Sequence, residues 1–171
     1  MQAYIKSLLY LGIFGLLHFG YDLTHWNFLI PFSGINESVF QHLKMAFWAY
    51  LFSSGIEYLL VKRKLNNLGS FWYPRLLATI MVPWFILLIW YLVPALFGKV
   101  ESLTIELGWS ILATYLSGIA GVMMEKSVEK GTITAGFKIT ILVLFFISAF
   151  FYISFTYQLP WIDLFQNTEL L

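Results

Sequence analysis

An all-α bundle of five membrane-spanning helices is the fold class this sequence predicts, and three observations lead to it. Hydrophobic residues make up 60% of the 171 positions and charged residues 11%, with a mean hydropathy of +0.78, far too apolar for a soluble globular domain. The apolar residues gather into runs at about 3–21, 39–61, 76–97, 103–124 and 136–157, each close to the ~20 residues that cross a hydrocarbon core. The connections between them are short, so the chain reads as a single transmembrane domain over 1–171 with no room for a soluble one.

Charge sets the expected orientation. Lys62, Arg63, Lys64 and Arg75 flank the connection after the second run, and Lys126 and Lys130 flank the one after the fourth. With Lys6 and Lys138 they fall on one side, and only Lys44 and Lys99 on the other. The positive-inside rule then places the N-terminus in the cytoplasm and the C-terminus outside. The Lys62–Lys64 run reads as an orientation signal, with recognition of anionic lipid as its alternative. A net charge of +1, with no concentrated basic face, excludes nucleic acid as a partner and leaves the lipid bilayer. The absence of cysteine excludes disulfides and thiolate chemistry. No small-x-small cleavage site follows the first apolar run, so it is expected to be a retained span and not a signal peptide.

Helix one is expected over about 3–26, with Gly12, Gly15 and Gly20 permitting close approach to a neighbour. Its end carries His18, Asp22 and His25 at i, i+4 and i+7, a spacing that stacks them on one helical face. The apolar connection Trp26–Ile35 contains Pro31 and Gly34. It reads either as a hairpin connector with interfacial aromatic anchors or as a lid over the polar residues. Helix two is expected over 37–64, capped by Asn36, with Glu37 in its first turn opposite the helix dipole. At ~27 residues it would span ~40 Å, longer than the hydrocarbon core. Glu57 lies ~30 Å along from Glu37, at the opposite surface.

Helix three, over 74–97, reads as a largely lipid-facing scaffold kinked at Pro83 and Pro94. Helix four, over 102–125, carries Ser110, Thr114, Ser117, Gly118 and Gly121 on one narrow face, the pattern of a packing seam or of one wall of a polar conduit. Helix five, over 134–157, is strongly aromatic. The tail 158–171 is amphipathic and is expected on the outer surface.

The candidate site is the pair of polar clusters on either side of the first connection: His18, Asp22 and His25 before it, and Asn36, Glu37, His42 and Lys44 after it. Ionisable groups at membrane depth are costly and mark pathways, relays or bound ions. His18, Asp22, Glu37 and His42 offer donors for a divalent metal, zinc or iron, with a coordination position left over. On an ideal helix Glu37 and His42 stand ~140° apart, which opposes a shared centre unless the helix start is unwound. Asp22, Glu37 and Lys44 are expected to form one charge-balanced group with the histidines. Ser33 and Ser38 lie close in sequence to the histidines, but no third group orients either as a nucleophile.

The segments HFGYD (18–22), NESVFQHLK (36–44), IEY (56–58) and FTYQLPWIDLFQN (155–167) together resemble an uncharacterised family of small bacterial multi-spanning membrane proteins, a domain of unknown function. The resemblance covers most of the chain, and its NES-x3-H-x-K element is its most specific part. It implies a multi-pass protein of the bacterial cytoplasmic membrane. Where that family ends in Pro-Pro-His and Leu-Phe-x-Asp segments, this chain has Leu159, Pro160 and Trp161, then Leu164, Phe165, Gln166 and Asn167. The departures at Trp161 and Asn167 imply a lost or altered activity if those positions bind metal or substrate. Two function classes remain open. One is a transport, ion-linked or accessory membrane component, and the other is a metal-dependent hydrolase of a lipid or lipid-linked substrate.

Overall fold

Helix ends in this chain are set by small polar residues and by positive-φ backbone, and these shift the expected boundaries. The computed structural model describes residues 1–65, 67–98 and 102–166. It contains five α-helices: α1 (Ala3–Thr24), α2 (Val39–Val61), α3 (Leu68–Phe97), α4 (Leu103–Glu129) and α5 (Ala135–Tyr157). Among the described residues there is no strand. Of the five helices, α1, α3, α4 and α5 are long and apolar enough to cross a membrane. The remaining helix, α2, is 23 residues long and is the most enclosed. Its Gln41, Lys44, Ser53, Ser54 and Glu57 are all buried, so these polar residues sit inside the bundle.

Three boundaries depart from expectation with consequences. α1 stops at Thr24 because His25 takes a left-handed conformation (φ 52°) and its N–H bonds back to the Tyr21 carbonyl. α2 begins at Val39 and not at residue 37. Its N-cap is Ser38, whose hydroxyl accepts from the Gln41 N–H at 3.4 Å, while Asn36 makes a turn in front of it by accepting from the Ser38 N–H at 3.0 Å. α3 begins at Leu68, capped by Asn67, whose side chain accepts from the Gly69 and Ser70 N–H groups, and it carries Pro74 as well as Pro83 and Pro94. Arg75, expected beside a loop, therefore lies inside α3 and is buried. So are Phe71, Ala78, Thr79, Val82 and Ile86, so α3 gives one face to the core while Trp84, Leu88, Leu92 and Leu96 stay exposed on the rest. α4 runs past the expected residue 125 to Glu129, so Glu125 and Glu129 both lie in its last turns.

Successive helices run antiparallel, as the pairs at each end record. His18 meets His42 at one end; Lys6 meets Glu57 and Glu125 at the other. The small-residue stripe of α4 is a packing seam. A Cβ at Gly118 would lie 2.7 Å from the Tyr10 ring, and one at Gly121 2.6 Å from Val82 and 2.9 Å from the Tyr50 ring, so only glycine lets α1, α2 and α3 close on α4. Beyond α5, a short 3-10 turn at Asp163–Phe165 buries Phe165 against Phe40, 4.5 Å between ring centres, and leaves Trp161 93% exposed. Asn167 lies outside the described residues.

Candidate metal centre

Because α2 starts two residues later than the ideal-helix reading, Glu37 stands on non-helical backbone between the ends of α1 and α2. The ~140° separation from His42 therefore does not apply. Glu37 Oε2 lies 3.6 Å from His18 Nε2 and 3.4 Å from His42 Nε2, and one donor atom from each of the three falls within 4.8 Å of the others. These carboxylate–imidazole distances exceed an ordinary hydrogen bond of ~2.7–3.2 Å. They match the edge of a tetrahedron built on metal–ligand bonds of ~2.0–2.1 Å, which is about 3.4 Å. His42 Nδ1 lies 2.9 Å from the Ser38 carbonyl, which assigns the proton to Nδ1 and leaves the Nε2 lone pair facing Glu37. A ligand histidine is normally oriented this way by a backbone partner. The adjacent His18 imidazole, with His42 behind it, holds the Glu37 carboxyl below its usual range. The side chains of His18, His42 and Glu37 are 23%, 33% and 36% exposed, so the centre is reachable from the end of the bundle.

The other expected members do not join. Asp22 sits a turn beyond His18 on α1 and is exposed, with no ion pair among the described residues. His25 is turned away by its left-handed backbone and stacks edge-on against Tyr21. Asn36 serves the turn. Lys44 departs most from expectation. It is fully buried and donates to the Ile30 carbonyl at 2.8 Å, and among the described residues it pairs with no carboxylate. The reason is rotational, since two helical residues are ~200° apart and His42 and Lys44 face nearly opposite sides of α2. The charge-balanced group of Asp22, Glu37 and Lys44 therefore does not form.

Over residues 2–169 the sequence matches a family described as "Family of unknown function (DUF6512)". The chain belongs to that family. No curated protein and no solved structure matches it.

This DUF6512 chain holds a second polar cluster at the other end, in which Lys6 and Arg75, orientation charges by sequence alone, are ion-paired with carboxylates inside the bundle. Lys6 Nζ lies 2.8 Å from Glu57 and 2.6 Å from Glu125. Arg75 faces both oxygens of Glu57 at 3.3 Å, approaches Glu125 at 3.7 Å and bonds Glu129. Tyr50 donates to Glu125 at 2.9 Å, and the Met1 amine reaches Glu57 at 2.9 Å. The signal for it was periodic. Glu125 continues the α4 seam from Ser117 and Gly121 at i+4 steps, and Lys6, Tyr10, Phe14 and His18 form one i+4 line along α1.

Proposed function

We propose that the protein is a five-span membrane protein with a cytoplasmic N-terminus that binds one divalent first-row metal ion, zinc or ferrous iron, through His18, Glu37 and His42 at its outer end. The convergence of two imidazole nitrogens on one Glu37 oxygen carries this reading. Two histidines and a carboxylate suit both metals. Three protein donors leave a coordination position open, as chemistry or ligand exchange requires and a closed structural site does not. Such an ion would polarise a bound carbonyl or phosphoryl oxygen, or activate a water. With the centre beside the membrane surface, the fitting reaction is hydrolysis of a lipid or lipid-linked substrate. The orientation rests on Lys62, Arg63, Lys64, Lys126, Lys130 and Lys138, which share the far end with the ionic cluster. That cluster supports a second reading, ion-linked transport, because buried ionisable groups inside a bundle also mark proton and ion routes.

Metal analysis of the detergent-purified chain tests the proposal. After loading with zinc or ferrous iron and desalting, about one equivalent is expected, lost in His18→Ala and His42→Ala and reduced in Glu37→Gln. Asp22→Asn and His25→Ala should retain it. Wild-type protein that holds no metal, or a loss in His25→Ala equal to that in His42→Ala, would overturn the assignment. Release of phosphate or acyl groups from bilayer lipid by the loaded protein, abolished with the metal, separates hydrolysis from transport.

A further inference from the structure

Lys44 lacks what a buried ammonium needs. Its group has three donors and one recorded acceptor, the Ile30 carbonyl, and no carboxylate faces it among the described residues. Buried charges are normally paired, because an isolated one costs several kcal/mol or more. The same face of α2 carries Gln41 and Trp48, at i−3 and i+4 from Lys44. Gln41 is fully buried, and neither of its amide atoms has a hydrogen-bond partner; the buried Trp48 Nε1 has none either. Native interiors leave few such groups unmet, so three neighbouring ones on one helical face ask for an explanation.

The connection between α1 and α2 lies over Lys44 and Trp48 on this face. It holds a short 3-10 turn at Asn27–Leu29 and is pinned by Gly34 N–H to the Leu17 carbonyl at 3.2 Å, by Lys44 to Ile30, and by the Phe32 ring standing edge-on against Trp48 at 5.0 Å. Its outer surface is apolar: Trp26 and Phe28 stack 5.4 Å apart and are 57% and 64% exposed. The segment thus presents aromatic rings outward and covers a cation with unmet donors inward.

We infer that Gln41, Lys44 and Trp48 form a binding site for the acidic head group of a lipid, a phosphate or carboxylate, admitted from the bilayer beneath the Trp26–Ile35 segment. The ammonium supplies the countercharge, and the Gln41 amide and Trp48 indole N–H groups supply neutral donors to the same oxygens. The Gln41 carbonyl remains to accept from a hydroxyl on the head group. Phe32 is the side chain the head group displaces. The site lies on the side of α2 away from His42, so it stands apart from the metal reading and does not depend on it.

The test uses the full chain in non-ionic detergent, titrated with dioleoyl phosphatidic acid, dioleoyl phosphatidylcholine or inorganic phosphate, and read by melting temperature and by retained lipid in native mass spectrometry. Phosphatidic acid should raise the wild-type melting temperature and be retained, with phosphatidylcholine doing neither. Lys44→Met should weaken phosphatidic acid binding by about tenfold or more, the scale of a lost charged hydrogen bond. Without lipid this variant should melt at or above wild type, because it removes an uncompensated buried charge. Gln41→Leu should weaken binding while keeping the fold, and His42→Ala should leave binding intact. Equal responses to the two lipids, or undiminished binding in both Lys44→Met and Gln41→Leu, would overturn the site. An equal effect of inorganic phosphate alone would overturn the lipid as its source.

Discussion

Removing the Lys6 charge should be the most damaging single neutralisation in the ionic cluster where Lys6 meets Glu57 and Glu125, and the pattern of its rescue can be worked out from distances. The Lys6 ammonium is fully buried, 2.8 Å from Glu57 and 2.6 Å from Glu125, whose side chains are 3% and 1% exposed. It also lies 4.9 Å from the centre of the Tyr50 ring. Breaking a buried pair by deleting one partner costs about 3–5 kcal/mol, so Lys6→Met should lose that much. The two carboxylates are not left equally exposed to the loss. Glu57 keeps both Arg75 contacts at 3.3 Å and the Met1 amine at 2.9 Å. Glu125 keeps the Tyr50 hydroxyl and a single Arg75 contact at 3.7 Å. Adding Glu125→Gln to Lys6→Met should therefore recover about 0.5–3 kcal/mol, the usual range for contacting residues, and Glu57→Gln should recover less. Unfolding in mixed micelles with increasing denaturing detergent, followed by tryptophan fluorescence, gives the free energies for the singles and doubles. Strictly additive losses, or better rescue by Glu57→Gln, would refute the network as described.

Two further outcomes follow from the same packing. Gly118→Ala and Gly121→Ala should each cost about 1–3 kcal/mol through overpacking, because the added methyl meets the Tyr10 ring in one case and Val82 and the Tyr50 ring in the other. Gly12→Ala and Gly15→Ala, with nothing within 4 Å, should be neutral or stabilising by up to about 1 kcal/mol, and the same unfolding assay compares them. For the proposed orientation, a membrane-impermeant thiol reagent applied outside intact cells should label Trp161→Cys and spare Asn67→Cys and Gly131→Cys; the reverse pattern would invert the topology and place the His18–Glu37–His42 candidate site in the cytoplasm.

The all-α architecture was legible because it follows from composition and run length, both of which survive errors of several residues at helix ends. The chemistry was less legible because it depends on those ends. Reading Asn36 as the cap started α2 too early and put Glu37 on the wrong side of the helix from His42. Moving the cap to Ser38 takes Glu37 off the helix, and the carboxylate then reaches both imidazoles. A similar shift acted at α3. Starting it near residue 74 made Arg75 a loop charge, whereas starting it at Leu68 places the guanidinium within the bundle against Glu57 and Glu125. Lys6 and Lys44 show why charge alone misleads in so apolar a chain. Both are fully buried, but Lys6 faces two carboxylates from other helices and Lys44 faces a backbone carbonyl. One-dimensional spacing fixes the direction of a side chain on its own helix, whereas the partner it meets comes from a helix many residues away. Extending the seam of α4 by one more i+4 step reaches Glu125, and following Tyr10 back by one step reaches Lys6, so the ionic cluster was encoded in the period of two helices. What joined those two lines was the closeness that Gly118 and Gly121 permit between α1, α2 and α4, a property of the packed bundle and not of either helix alone.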